Sequence, residues 1–396
     1  MSSTADVIVV GLGAAGSAAL YQLARAGISA VGIDRWDPPH AMGSSHGETR
    51  ITRQAIGEGE VYVPLVLRSH EIWRELEQET GERLLETCGV LIIGAEGGAA
   101  MHHSRSGFVL NTVAAAQAHG IEHEVLSIED TRRRFPQFAL SGDELVYFEP
   151  GGGFVYPERC IAAQLTLARK LGARIVTGAQ VTAISEAAGG VAVQAGGTTY
   201  HADHVILAAG AWTPSLAPTL ALAPLTLRRQ VLHWFAPERP RDFAVGTLPA
   251  FIWLHGKHAE DSFYGFPIPD DLGHGLVKVA DENQTRATAD PDELDREVRA
   301  GEAAEMHRDH LAGRIPGLTL PPVRSAACLY TCAPDADFVI GPLDGTERIT
   351  VVSACSGHGF KHSAAVGEHA VRLIIEGPAA AIAAFDPRRL AGSQLT

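Results

Sequence analysis

Residues 6–34 read DVIVVGLGAAGSAALYQLARAGISAVGID. Asp6 to Val10 is a short apolar run suited to a buried strand. Gly11-Leu12-Gly13-Ala14-Ala15-Gly16 follows, and then an Ala- and Leu-rich helix reaching about Arg25. A second strand, Ser29 to Ile33, ends at Asp34. Strand, glycine turn, helix, strand and acid make a complete βαβ dinucleotide-binding unit. Gly11 allows the tight turn, Gly13 lets the backbone approach a pyrophosphate, and Gly16 permits close helix–strand packing. The helix N-terminus offers unpaired N–H groups and a positive dipole end to phosphate. Asp34 can accept hydrogen bonds from ribose hydroxyls. It favours a 2′-hydroxyl over a 2′-phosphate, and does not separate a flavin from a nicotinamide dinucleotide.

Outward from this unit, 37–47 is a loop, 61–76 a helix and 89–93 a strand. A helix is expected over 109–119, and Ser127-Ile128-Glu129-Asp130 marks another helix start. A helix over 157–170 precedes a strand pair ending near Thr199, and 205–209 runs as a strand into Gly210-Ala211-Trp212. From 225 to 279 strands alternate at 230–235, 250–254, 262–266 and 275–279. Their connections are too short for crossover helices, so the sheet is antiparallel. Residues 290–311 read as a charged helix. Strands at 339–340 and 349–353, and a helix over 363–375, close the chain. The expected class is α/β plus α+β, a nucleotide domain of separated segments with a second, antiparallel-sheet domain inserted.

The chain has 396 residues, 46% of them hydrophobic, enough to build more than one domain. Its 32 basic and 46 acidic residues give a net charge of -14, which argues against nucleic acid or an anionic membrane as partner. Five cysteines, at 88, 160, 328, 332 and 355, show no bridging framework and suit a reducing compartment. No apolar run is long enough to span a membrane. The opening residues lack a basic region followed by an apolar one. A cytoplasmic protein is expected. No HExxH or tight Cys/His spacing appears among the histidines, so no metal site is expected. Gly43-Ser44-Ser45-His46-Gly47 fits GxSxG, but it follows a Pro-Pro loop rather than a strand, which argues against a hydrolase.

Several separated stretches, in order, carry a family resemblance: DPPHAMGSSHGETRITR at 37–53, YVPLVLRS at 62–69, VILAAGAW at 205–212, YGFP at 264–267, ACLYTCAPDADFVI at 327–340 and SGHGFKHS at 356–363. The chain resembles the monomeric sarcosine oxidase and N-methyltryptophan oxidase family from the Asp6 strand to beyond Glu368. The resemblance implies an FAD domain (1–86, 147–220 and 322–385), a substrate domain (87–146 and 221–321) and a tail (386–396). It implies oxidation of a secondary amino acid, N-methyl or cyclic, with oxygen reduced to hydrogen peroxide, in a monomer.

The resemblance also assigns residues. Cys328, in Cys328-Leu329-Tyr330-Thr331, matches the cysteine that carries the flavin covalently; by composition alone it reads as an ordinary buried thiol. Cys332 and Cys355 lack the motif and read as structural. Arg53 and Lys361 match the substrate-carboxylate clamp, for which a planar fork of donors is well suited. Arg50 and His46 match catalytic groups beside the flavin, and Lys278 matches the lysine that activates oxygen. Without the match, Lys278 reads as a polar-face strand lysine. Phe263, Tyr330 and Glu282 fall where substrate groups are expected. FAD contacts are implied at Gly11, Gly13, Ala14, Ala15, Gly16, Asp34, Arg35, Ser45, His46, Thr49, Arg50, Val181, Gly210, Trp212, Cys328, Gly357, His358, Gly359, Phe360 and Lys361.

The chain departs from the family at two places. Asp281-Glu282 stand where a Tyr-His pair is common, and Phe263 stands where sarcosine-type enzymes have tyrosine, with Tyr264 beside it. These changes point to an amine substrate with a bulkier or basic side chain rather than sarcosine. The competing readings are an NAD-dependent dehydrogenase, a flavin-dependent amine dehydrogenase with another acceptor, and a non-catalytic FAD-binding protein.

Overall fold

The computed structural model describes residues 3–95, 101–103, 105–187, 189–216, 225–258, 260–282, 286–343 and 345–390. The expected βαβ unit is present: strand Thr4–Val10, helix Ala14–Arg25 and strand Ala30–Ile33. It lies inside an eight-stranded sheet ordered 174–176, 30–33, 4–10, 198–207, 190–195 and 181–187, with 349–353 joining 198–207 and 339–342 at its far side. Strands 30–33, 4–10, 205–207 and 349–351 run parallel. Strands 30–33 and 349–353 are buried along their whole length, and strand 4–10 from Val7 on, as a sheet covered on both faces requires. Gly16 sits where an added Cβ would lie 1.8 Å from the Gly11 carbonyl oxygen. Only glycine lets this helix start so close to the strand end.

A nine-stranded sheet forms the second layer, ordered 287–288, 226–235, 277–281, 262–266, 250–254, 90–95, 144–149 and 124–126, with 324–332 paired to 226–235. It is antiparallel apart from the pair 250–254 and 90–95. Strand 324–332 carries Cys328 and pairs with this sheet along 226–234. The expected division placed it with the nucleotide domain; its hydrogen bonds tie it to the other. The expected boundary near 220 lies outside the described residues, as does the end of the tail from 391 on. Pro387 and Leu390 of the tail are buried against the molecule.

The helix expected over 290–311 is only partly formed. A 3-10 turn covers Pro291–Glu293, an α-helix Ala300–Met306 and a single π-turn His307–Leu311. Between them, Arg229 takes the carbonyls of Asp295 and Glu297 at 2.6 and 2.7 Å. Those carbonyls are then unavailable to a helical ladder. The strand expected at 275–279 lies at Val277–Asp281, and the other three in this region match.

A Gly16→Ala substitution is expected to destabilise the chain by at least about 2 kcal/mol, because backbone stands in the way of the methyl and cannot give as a side chain could. A lowered thermal midpoint, together with loss of bound FAD on reconstitution, checks this.

Candidate active site

One cavity runs along the C-terminal ends of the parallel strands. Its wall includes Gly11, Gly13, Ala14, Ala15, Asp34, Arg35, Ser45, Val181, Gly210 and Trp212. The helix at Ala14 begins from Gly13 with no side-chain cap and no acid in its first turn. Its N–H groups are therefore left for an anion. Asp34 is buried, and one carboxylate oxygen accepts from Leu12 N at 2.7 Å and the other from Trp36 N at 2.8 Å. His40 Nε2 lies 3.4 Å from the second of these oxygens. Arg35 and Trp212 are both tied to Asp292, at 2.7 and 3.0 Å.

A second cavity adjoins the first at Ala14, Ser44, Ser45, Ala354 and Cys355. The loop leading into it is held from several sides. Glu158 accepts from Gly47 N at 2.7 Å and Glu48 N at 3.1 Å. Lys278 Nζ donates to the Gly47 and Thr49 carbonyls at 2.8 and 2.5 Å. Trp234 Nε1 donates to Glu48 at 2.8 Å, and Arg324 pairs with the same carboxylate. Arg50 then donates to Ser44 O at 2.8 Å and lies 3.6 Å from Cys328 Sγ. Burial pushes the Cys328 thiol up, and Arg50 partly offsets this. Burial, then Arg50, pulls Lys278 well below the usual lysine range and His46 down to about 4.

In the second cavity Arg53, 1% exposed, meets Glu58 at 2.6 Å. Lys361 lies 3.5 Å from the same carboxylate and donates to His358 O at 2.8 Å. Burial raises the Glu58 carboxyl, but Arg53 and Lys361 outweigh it and hold it well below the usual range. Lys361 is lowered to about 8, by burial first. Glu149, fully buried, receives Gln54 N, Ala55 N and the Tyr147 hydroxyl, and so fixes the turn that follows Arg53. Tyr264 and Tyr330 place their hydroxyls 3.4 Å apart at the wall.

A family profile described as FAD dependent oxidoreductase matches residues 6–373. The chain belongs to that family. It is 37% identical, over 99% of its length and 100% of the relative's, to a protein of Streptomyces avermitilis named monomeric sarcosine oxidase. It is 35% identical to an N-methyl-L-tryptophan oxidase of Yersinia pestis, over 94% of this chain and 95% of that one. Among solved structures, NikD, described as an unusual amino acid oxidase essential for nikkomycin biosynthesis, matches with a TM-score of 0.81 at 25% identity, covering 98% of this chain and 97% of that one. The L-proline dehydrogenase from P. horikoshii matches in fold, with a TM-score of 0.82 at 19% identity over 100% of both chains. The protein is an FAD-dependent oxidoreductase of the sarcosine oxidase type.

The first cavity fits the dinucleotide of this family, with uncapped N–H groups for its pyrophosphate and Asp34 for a ribose. The second cavity collects Arg50, Arg53, Tyr330, Gly357, His358, Gly359, Phe360, Lys361 and Glu282, from segments far apart in sequence. Gly16, His46, Thr49, Lys278 and Cys328 line neither cavity and stand one layer behind. Phe263 belongs to the wall, but its ring packs into the back-face core against Phe251, Trp253, His255 and His310. The expectation that its side chain contacts substrate is corrected: strand alternation turns it away and presents Tyr264 instead. Asp281 likewise faces back, 4.0 Å from His310, whereas Glu282 faces the cavity.

Glu58, His102, His103 and Cys355 lie on the wall but are not among the site residues expected from the sequence. Glu58 follows Arg53 by five positions in a stretch without a distinctive pattern. His102 and His103 lie in a short hairpin remote from every recognised motif. Cys355, read as structural, borders both cavities. His103 is the most consequential. Burial would lower it, but Glu282 and Glu58 raise it from the usual 6.5 to about 9.

Because the folded value lies above the unfolded one, the stabilisation from His103 is complete below about pH 6.5 and disappears as pH rises through about 9. The difference in unfolding free energy between the parent and His103→Gln should shrink across that window in urea titrations. A difference that grows with pH would contradict the ion pair.

Proposed function

We propose that the protein oxidises the C–N bond of a small secondary amino acid, N-methyl or cyclic, to an imine, with oxygen reduced to hydrogen peroxide. The observation that supports this reading is the convergence of Arg53 and Lys361 on one buried cavity beside the dinucleotide site. Their donors, drawn together by Glu58, suit the substrate carboxylate, and a water-poor wall strengthens that pairing. Such docking fixes the α-carbon and amine in one orientation, and orientation is worth many-fold in rate. Bound FAD supplies the two-electron acceptor and the route to oxygen.

No side chain need act as a strong base if the amine binds in its neutral form. The buried cations Arg50, Arg53 and Lys361 favour that form by opposing an ammonium among them. We assign the oxygen-activating role to Lys278 and the flavin attachment to Cys328, whose sulfur lies beside the Arg50 guanidinium. The monomeric state and a cytoplasmic location belong to the same reading. Among the described residues no helix is long and apolar enough to cross a membrane.

A flavin-dependent dehydrogenase with another acceptor is the second reading, and the position of Lys278 away from both cavity walls favours it. Mixing purified protein with N-methyl and cyclic amino acids without air should bleach the flavin, and admitting air should restore the colour with release of peroxide. Bleaching without reoxidation by air selects the dehydrogenase, and no bleaching by any amine defeats both readings. Lys278→Met is expected to slow reoxidation by about tenfold or more while reduction stays near the parent rate. If reduction falls instead, Lys278 serves only to clamp the Gly47–Thr49 loop.

After acid precipitation the yellow colour should stay with the protein pellet, and a Cys328→Ser variant should release it to the supernatant. Colour retained in the variant would remove Cys328 from the linkage.

A further inference from the structure

The two buried carboxylates of the second cavity are neutralised differently. Glu58 has a guanidinium and an ammonium beside it. Glu282, 6% exposed, is paired among the described residues with histidines: His103 Nε2 at 2.8 Å and His102 Nδ1 at 3.8 Å, both on Oε2. Despite the short distances, neither ring nitrogen of His103 makes a directed hydrogen bond. The Glu282 carboxylate borders the cavity. A buried carboxylate is costly unless a cation is held against it. Here the cation is a titratable one.

Resting on the proposed amine oxidation, we propose that Glu282 binds a second cationic group, an ammonium or guanidinium on the substrate's side chain, which replaces the His103 imidazolium as its counter-charge. The α-amine cannot fill this place, because it must lose its proton before its C–N bond is oxidised. A cation that remains charged throughout must lie elsewhere on the molecule. The substrate class is therefore a secondary amino acid with a basic side chain. Its carboxylate rests on Arg53 and Lys361, and its far cation on Glu282.

The groups facing His103 define the exchange. Glu58 and Arg53 come from the segment after the second strand, and Glu282 from the end of strand 277–281. His102 comes from its own hairpin, and His358 and Lys361 from the turn before the last helix. The hairpin itself is tied down by Arg105, which pairs with Asp337 and donates to Glu58 O. An ammonium or guanidinium titrates above an imidazolium. It therefore takes over the shared carboxylate, and His103 gives up its proton. The positive charge facing Glu282 is the same before and after, with one proton released to solvent.

Two ligands without an α-amine test the exchange on the FAD-loaded enzyme, where no oxidation can occur: 6-aminohexanoate, and hexanoate as its neutral counterpart. Near neutral pH, 6-aminohexanoate should bind about tenfold or more tightly than hexanoate, as a buried charge pair requires. Calorimetry in buffers of different ionisation enthalpy should show a proton released with the first ligand and not with the second. Glu282→Gln should remove both differences; if that variant does not fold, the proton count on the parent enzyme still decides. Equal affinities, or equal proton counts, would overturn the assignment. In the reaction itself, Nα-methyl-L-lysine should outrun Nα-methyl-L-norleucine in flavin reduction. Reduction by both without preference overturns this inference and leaves amine oxidation standing. Reduction by no amine overturns amine oxidation and this inference together.

Discussion

The segment from Ser44 to Glu58 is pinned to both layers of the molecule, and the arrangement of the active site follows from that pinning. Lys278 of the antiparallel sheet grips its carbonyls, while Glu158, from the helix beside the nucleotide unit, grips its N–H groups. Glu48, held at a φ of 72°, directs its carboxylate to Trp234 and Arg324. With the backbone fixed on both sides, Arg50 and Arg53 project toward the cavities from strand 50–52 and its end. The short sheet of strands 50–52, 153–155 and 85–86 continues the support.

Charge sets the second constraint. Arg53, Glu58 and Lys361 are each buried, and each depends on the others. Removing one member of such a group leaves an unpaired buried charge, at a cost of about 3–5 kcal/mol. On the proposed reading, a substrate carboxylate enters because Glu58 draws both cations to one place. The same low dielectric that makes the triad costly to break makes it selective for an anion of matching shape.

The nucleotide half was legible because its signal is backbone geometry written in glycine. Gly11, at a φ of 86°, and Gly16, packed against the Gly11 carbonyl, have no equivalent substitutes, so their spacing survives any choice of neighbours. The second sheet was legible through the strand runs at 226–235, 250–254 and 262–266. The charged stretch 290–311 misled, because charge spacing resembles a helix while Arg229, distant in sequence, claims two of the carbonyls. Glu58 and His103 were illegible for a related reason. A buried acid and a buried histidine are set by the partners that meet them, and neither Arg53–Glu58 nor His103–Glu282 has a local pattern.

Strand parity accounts for the remaining difference, and it carries functional weight. Along 277–281, Val277 and Val279 enter the back-face core, while Lys278 turns to the loop and Ala280 to the main core. Asp281 therefore goes with the valines and Glu282 with the lysine. A carboxylate pair that looks like one feature in the sequence is split between two environments. Burial raises the Asp281 carboxyl to about 6, while the histidines beside Glu282 outweigh burial and lower it to about 2. Phe263 and Tyr264 divide in the same way on the neighbouring strand. The site is thus defined by every second residue of two paired strands: tyrosine hydroxyl and glutamate carboxylate face inward, while phenylalanine ring and aspartate support the sheet from behind. Exchanging the two members of either pair would keep the charge of the cavity, but would shorten its inward carboxylate by one methylene or take away its inward hydroxyl.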